Sequence, residues 1–338
     1  MNTAIKNDVQ NVAFSMAFIT NCTLILLIFS RSPFKLGTYK YLMVYFASVS
    51  LFYSFLECLL NPLLLSYKDC FQVIVKLQFS NPKVDRYILY YGCGICGVLM
   101  PMFVVHFIFR YFAMQRKGNL KYFEGWYFLY WLSVPLISGF LWAQTLFAFL
   151  YEDTESSDYM REILLENYGL NISDITYVGV LYYKKSISGS GTEPNFTGLQ
   201  GVCVLGTIMT VCFCFIIYFG TLTYKRIMHL ILEGRSEYTR RLQKQLYQAL
   251  VIQTIIPIFF LILPLTIYFY SPLFHFGNQT IGDWTALSTA IYPIIDPLPV
   301  IFVIDNYRLA VLEFFGCIKP QRTVSINVTS SSNAAVEN

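Results

Sequence analysis

Side chains able to carry covalent or metal chemistry are few in this 338-residue chain, and they are scattered along it. The three histidines, His106, His229 and His275, are far apart, and no HExxH pattern ties one to a glutamate. By the apolar runs described below, His106 and His229 fall toward one end and His275 toward the other. They do not converge on a zinc ion, which needs three or four ligands at one point. Most of the nine cysteines lie inside apolar stretches, where cysteine behaves as a small hydrophobe. Cys93-Gly-Ile-Cys96 has a short spacing, but within an apolar helix it reads as packing rather than as a redox or metal pair. Ser188-Gly-Ser-Gly sits in a charged loop, not in a buried site. This inventory argues against an enzyme, and no metal or cofactor is expected.

The elements that must position these residues follow from composition. Hydrophobic residues make up 56%, charged residues 13%, and the mean hydropathy is +0.51. Soluble domains carry roughly a quarter charged residues, so this chain lacks the polar surface to meet water on all sides. Abundant Phe and Tyr suit the aromatic belts of a membrane interface. Seven runs, 9–29, 41–67, 87–109, 125–151, 200–224, 246–272 and 284–304, reach the roughly 20 apolar residues that cross a hydrocarbon core. Lipid offers the backbone no hydrogen-bond partners, so the runs must be helices. The expected fold is an all-α membrane protein, a bundle of seven transmembrane helices over 1–304. The first run is too long for a cleavable signal peptide and reads as a signal anchor. Prolines at 62, 101, 135, 257, 264, 293, 297 and 299 are expected to kink these helices.

The seven runs contain no Lys or Arg and two carboxylates, Glu57 and Asp296. A retinal-type chromophore has no lysine to bind, and the third run has no acid to anchor an amine. Inserting an aspartate into the bilayer costs about 2.5–3.5 kcal/mol, so such a group usually faces the interior and has a use. Asp296 lies in Tyr292-Pro-Ile-Ile-Asp-Pro-Leu-Pro299, where three prolines remove backbone donors. It reads as a polar hinge in preference to a carboxylate merely bonded to a neighbouring helix. Glu57, five residues before Pro62, either lines a pocket or joins two helices. Both readings stay open.

Of the 24 Lys and Arg, 16 fall on the side of Arg31, Arg110, Lys225, Arg240 and Arg308, and 8 on the side of Lys68, Lys76 and Lys184. Cytoplasmic loops carry the excess, so the N-terminus is expected outside and the C-terminus inside. The triplets at Asn171, Asn195 and Asn278 then fall outside as glycosylation candidates, although two further triplets match in places where no glycan is expected. The formal charge of +4 is no argument for nucleic acid once it is sorted by side. The acidic loop 152–199 is long enough to be functional, with 178–183 as a strand-like lid and the stretch around Ser188 mobile. No internal repeat points to a transporter built from duplicated halves.

Arg110 ends the third run in His106-Phe-Ile-Phe-Arg-Tyr111. Position alone makes it an anchor to the headgroups. Arg240, Arg241 and Lys244 lead at helical spacing into the sixth run, and form either a partner surface or a lipid-attracted patch. Residues 305–317 read as a juxtamembrane amphipathic helix, with Tyr307, Val311, Phe314 and Phe315 on one face and Cys317 as a palmitoylation candidate. The polar tail 318–338 is expected to be disordered.

With these residues in view, the chain resembles the nematode seven-transmembrane chemoreceptors of the Str class. The resemblance rests on Leu36-Gly-Thr-Tyr-Lys-Tyr-Leu-Met43, the Glu57…Pro62 pair, His106-Phe-Ile-Phe-Arg-Tyr-Phe112 and Tyr151-Glu-Asp-Thr-Glu155. It continues through Leu242-Gln-Lys-Gln-Leu246 and Tyr292…Asp296-Pro297-Leu298. No one stretch is specific; the ordered set is. It implies a rhodopsin-like bundle in the plasma membrane of a chemosensory neuron, on its cilium, coupled to a heterotrimeric G protein. By resemblance Arg110 becomes the receptor arginine beneath the third helix, with His106 and Tyr111 flanking it and no acidic lock to it. Asp296-Pro297 stands where such receptors have Asn-Pro. The loop 152–199 contains no cysteine, so the usual bridge from it to the third helix does not form; Cys93 or Cys96 with Cys203 or Cys70 remains open.

The expected function is a chemosensory, olfactory receptor that takes a small neutral odorant in the outer half of the bundle and activates a G protein. By depth, Glu57, Tyr90, Tyr91, Met100, Thr207, Phe260, Thr266, Thr285 and Ser288 are the candidate lining. The sixth helix is expected to swing about Pro257. An odorant-gated channel, with the opposite topology, and a ligand-free receptor-like scaffold are the alternatives.

Overall fold

Asn61 and Pro62 stop the second helix, and the loop-built sheet that follows closes one end of the bundle. The computed structural model describes residues 3–33, 36–79, 81–115, 119–185, 191–232 and 237–317. Residues 186–190 of the glycine–serine stretch and the tail 318–338 fall outside the described residues, as do Arg116, Lys117 and Arg235. In order the elements are α1 (Thr3–Arg31), α2 (Tyr39–Leu60), β1 (Leu63–Tyr67), β2 (Cys70–Lys76), α3 (Pro82–Gly94), α4 (Cys96–Ala113) and α5 (Trp126–Phe149). Then come α6 (Thr154–Tyr168), β3 (Ile175–Leu181), β4 (Tyr183–Lys185), β5 (Thr192–Pro194), α7 (Phe196–Leu232) and α8 (Glu237–Pro257). The chain finishes with α9 (Leu263–Tyr270), α10 (Gln279–Ile295), α11 (Leu298–Val303) and α12 (Asp305–Phe314).

Among the described residues seven stretches are long and apolar enough to cross a membrane: α1, α2, α3 with α4, α5, α7, α8 with α9, and α10 with α11. The second apolar run, 41–67, is not one helix, which corrects the expectation. Asn61 takes a left-handed conformation at φ 44° and its N–H closes on Glu57 O at 3.0 Å. Pro62 has no N–H with which to continue the helix, so Leu63–Tyr67 extends as a strand instead. The first helix also starts at Thr3, not at residue 9.

Strands β1 and β2 form an antiparallel hairpin across Lys68-Asp69, and β2 pairs antiparallel with β3 in the register Cys70↔Leu181 to Lys76↔Ile175. The lid expected at 178–183 is therefore β3 and the start of β4, joined to a hairpin that periodicity did not separate from a helix. All seven residues of β3 are buried, and α6 covers the sheet beside it. Asp153 caps α6, accepting from Ser156 N at 2.8 Å. Tyr268 of α9 ties the sheet down, donating to Gln72 O at 2.8 Å, and Lys68 and Gly277 exchange backbone hydrogen bonds across the loops.

Helices α3–α4 and α5 pack backbone against backbone. A Cβ at Gly94 would stand 2.8 Å from Gly139 O, and one at Gly97 2.6 Å from Trp142 Cβ. Small residues allow this approach where lipid gives no hydrophobic drive for helices to associate. All nine cysteines are free, so neither Cys93 nor Cys96 bridges to Cys203 or Cys70.

Candidate functional site

Two regions gather the residues singled out above, one under the sheet and one at the opposite end of the bundle. At that opposite end Arg110, in the last turn of α4, is 2% exposed. Its Nη1 donates to Gln243 Oε1 of α8 at 3.1 Å, and its guanidinium carbon lies 3.6 Å from the Tyr39 ring centroid. Tyr39 OH in turn meets His106 Nδ1 at 3.2 Å. A guanidinium stacks on an aromatic face because the ring quadrupole attracts a cation. Arg110 Nε and Nη2 are buried with no hydrogen-bond partner among the described residues. Tyr111 instead turns toward α7, its ring 5.8 Å from that of Phe219. Of the basic lead into the sixth span, Arg241 pairs with Asp305 at 2.8 Å, Arg240 is half-buried and Lys244 is exposed. Tyr307 of α12 is buried, with its OH 2.6 Å from Ser32 Oγ, while Phe314, Phe315 and Cys317 are exposed. The amphipathic stretch therefore turns Tyr307 into the bundle and leaves the two phenylalanines projecting.

The seventh span bends where its prolines stand. Pro297 has no N–H for the carbonyl of Pro293, and Asn21 of α1 supplies that donor through Nδ2 at 2.9 Å. Gln253 Nε2 donates to Asp296 O at 3.2 Å, and Asp296 Oδ1 is buried without a partner among the described residues. In the sixth span α8 ends on Pro257, and Ile258–Ile262 then forms a π-helical turn, with Leu263 N–H reaching Ile258 O. Such wide single turns are often found at functional sites.

Under the sheet lie two adjoining chambers. One, of about 80 Å³, is bordered by Tyr53, Glu57, Leu89 and Thr289 and roofed by Leu64 and Val73 of the hairpin. The other, of about 220 Å³, is bordered by Met209 and Phe213 of α7 and by Leu261 and Thr266 of the sixth span. Cys96, Trp142, Leu265 and Phe269 border both. The hairpin packs on the sixth span beside them through Phe71, whose ring lies 5.0 Å from Phe269 and 5.4 Å from Tyr268.

Of the nine candidate lining residues, Glu57 and Thr266 border a chamber. Tyr91 and Thr207 are exposed on the outer face of the bundle, Tyr91 OH accepting from Gln144 and Thr207 donating to Cys203 O. Depth alone cannot tell the inner face of a helix from the outer. Tyr90, Met100, Thr285 and Ser288 are buried in packing, and Phe260 is half-buried. Sequence reasoning missed Gln243, Tyr39, Trp142, Leu265 and Phe269. Gln243 had a readable signal: an amide framed by Leu242 and Leu246, both on the buried face of α8. Among the described residues no group of three or more His, Cys, Asp or Glu could hold a metal.

Three loop asparagines lie near the sheet. Asn171 and Asn278 are exposed, Asn278 capping α10 by accepting from Thr280 N at 3.0 Å. Asn195 commits its Nδ2 to Leu181 O at 3.0 Å.

Seven apolar helices in one bundle, bent at the sixth and seventh and floored by a buried arginine, define a receptor of the serpentine class. The chain belongs to the Str family of serpentine seven-transmembrane GPCR chemoreceptors, whose profile matches residues 6–312. It is 30% identical over 319 residues to the serpentine receptor class r-10 of Caenorhabditis briggsae, covering 93% of this chain and 91% of that one. It is 30% identical over 317 residues to the G-protein coupled receptor str-217 of Caenorhabditis elegans, covering 91% and 89%. The serpentine receptor class r-10 of Caenorhabditis elegans is 29% identical over 329 residues, covering 95% and 94%.

Proposed function

We propose that this chain is a chemosensory, olfactory receptor that holds a small neutral odorant in the two chambers and activates a heterotrimeric G protein at the opposite end. The observation that carries the reading is that one element serves both ends. The sixth span puts Leu265 and Phe269 in the chamber walls and Gln243 on Arg110. A ligand that fits one arrangement of that span better than another shifts the population between them, and only by its differential affinity. The π turn after Pro257 is the hinge about which α8 swings, releasing Arg110, with Tyr111, Arg240, Arg241 and Lys244, to the partner. His106 holds Tyr39 in place, and Asp296-Pro297 is the second flexible point.

The excess of Lys and Arg at the Arg110 end supports placing that end in the cytoplasm and the sheet outside. In that orientation Asn171 and Asn278 are open to glycosylation and Cys317 to palmitoylation, while a glycan on Asn195 requires its Nδ2 to release Leu181 O. The setting we propose is the plasma membrane of a sensory neuron, on its cilium.

The test is a second-messenger screen of a volatile panel in cells expressing the chain with a Gα subunit. Responses abolished by blocking the G protein are expected, and responses that survive the block would mark a channel. Arg110→Ala is expected to remove at least about nine-tenths of the response at unchanged surface level, the size expected when a charged contact is lost. Full signalling from that variant would overturn the role given to Arg110.

A further inference from the structure

The chamber under the hairpin is apolar except at one corner, and that corner is unbalanced. The two hydroxyl donors at this corner are already spent: Tyr53 OH donates to Glu57 Oε1 at 3.0 Å, and Thr289 Oγ1 donates to Ala286 O at 3.1 Å. Lys6, the nearest cation, does not border this chamber; its Nζ is turned to Pro62 O at 2.5 Å and Asn61 O at 3.3 Å. Acceptors remain. Glu57 Oε2 has no hydrogen-bond partner among the described residues and is not sealed within protein. A carboxylate offers acceptor positions only, while Tyr and Thr oxygens keep lone pairs after donating. At this corner a ligand carrying only acceptors, such as a ketone, ester or ether, finds no free oxygen donor, and the indole N–H of Trp142 belongs to the wall shared with the second chamber; a buried unmade hydrogen bond is costly.

We propose that this chamber selects neutral ligands that carry a hydroxyl donor on an apolar body, with Glu57 Oε2 as the acceptor of that hydroxyl. The inference rests on the receptor reading above and adds to it the chemistry of the ligand's head. The 80 Å³ chamber takes the head and its first carbons. The body passes Trp142 and Leu265 into the 220 Å³ chamber, whose Met209, Phe213 and Leu261 suit hydrocarbon. An apolar cavity of about 150 Å³ holds benzene, so a body of benzene size or somewhat larger fits. Alcohols and phenols of intermediate chain length are the class.

The experiment uses the full chain in lipid nanodiscs and matched probes: 1-alkanols from butanol to decanol, and the 2-ketone of each length. Melting temperature against probe concentration gives relative affinities, because a ligand that binds the folded state stabilises it by mass action. The expected result is a preference of about tenfold or more for the alcohol over its ketone, the size of one buried hydrogen bond. In Glu57→Gln the amide N–H₂ offers ketones a donor, and the preference is expected to fall toward one. Tyr53→Phe leaves the carboxylate in place and frees Oε1, so the preference is expected to persist; this variant serves if Glu57→Gln does not fold. Equal stabilisation by alcohol and ketone, loss of the preference in Tyr53→Phe, an unchanged ratio in Glu57→Gln, or no stabilisation by any alkanol each overturns the proposal. None of these results touches the receptor reading, which is judged by G-protein signalling and Arg110→Ala.

Discussion

Among the described residues Arg110 carries a charge into the bundle with one hydrogen bond, to Gln243, and one ring face, that of Tyr39. An amide oxygen is a weaker partner for a guanidinium than a carboxylate, because a fully charge-assisted pair is roughly twice as strong. The clasp between the third and sixth spans is therefore a light one. Gln243→Glu is expected to tighten it and lower ligand-independent signalling about fivefold, the effect of about 1 kcal/mol. Gln243→Ala is expected to raise that signalling by a similar factor. Basal second-messenger output per surface receptor reads both, and equal output from the two variants would disprove the clasp. At Cys70, in β2, burial pushes the thiol up from 9.0 to about 12. A thiolate is the reactive form, so iodoacetamide at pH 8 should label Cys70 about a thousandfold more slowly in the folded protein than after unfolding. The folded pKa is the higher one, so the stabilising contribution is complete below pH 9 and is lost as pH rises toward 12. Mass spectrometry of the labelled peptide measures the difference.

Helices and sheet differ in how much of them the sequence announced. Seven apolar runs were legible because a bilayer requires about 20 apolar residues in a row, whatever the packing. The hairpin was not, since Leu63-Leu64-Leu65 continues the same run and a short apolar stretch fits strand or helix equally. Only Asn61-Pro62, read together as a left-handed cap followed by a missing donor, separates the two. The chamber was the least legible part. Glu57 announced itself as a carboxylate in lipid, but Trp142, Leu265 and Phe269 look in the sequence like any other apolar residue of a span. Contact between α4 and α5 carries its own prediction. Gly139 is closed by Val98 Cγ2, only 2.4 Å from where a Cβ would sit, and by Gly94 O at 3.0 Å. Gly139→Val must push the helices apart, and overpacking of this kind costs about 1–3 kcal/mol. A lowered melting temperature and reduced surface level are the expected readouts, and a Gly139→Val protein as stable as the parent would show that the contact is not tight.

Across the molecule the third and sixth spans each reach both ends, the third with Cys96 in the chamber walls and Arg110 at the far end, the sixth with Leu265 and Phe269 in the walls and Gln243 on Arg110. The lid adds a fixed reference. Tyr268 and Tyr182 bind α9 to the sheet, with Tyr182 OH donating to Phe269 O at 2.7 Å, so the proposed swing of α8 would work against a pinned upper segment. The π turn between them has an arithmetic consequence. An α-helix advances about 100° per residue, and one wide turn accommodates one extra residue. Everything from Leu263 onward is therefore out of phase with Glu237–Pro257 by about that angle. A helical wheel drawn through the whole span as one period sets Phe269 about 80° away from Gln243, whereas the wide turn brings the two to within about 20°. Any relative whose sixth helix runs straight through this point aligns with this chain only after a one-residue gap between positions 257 and 263.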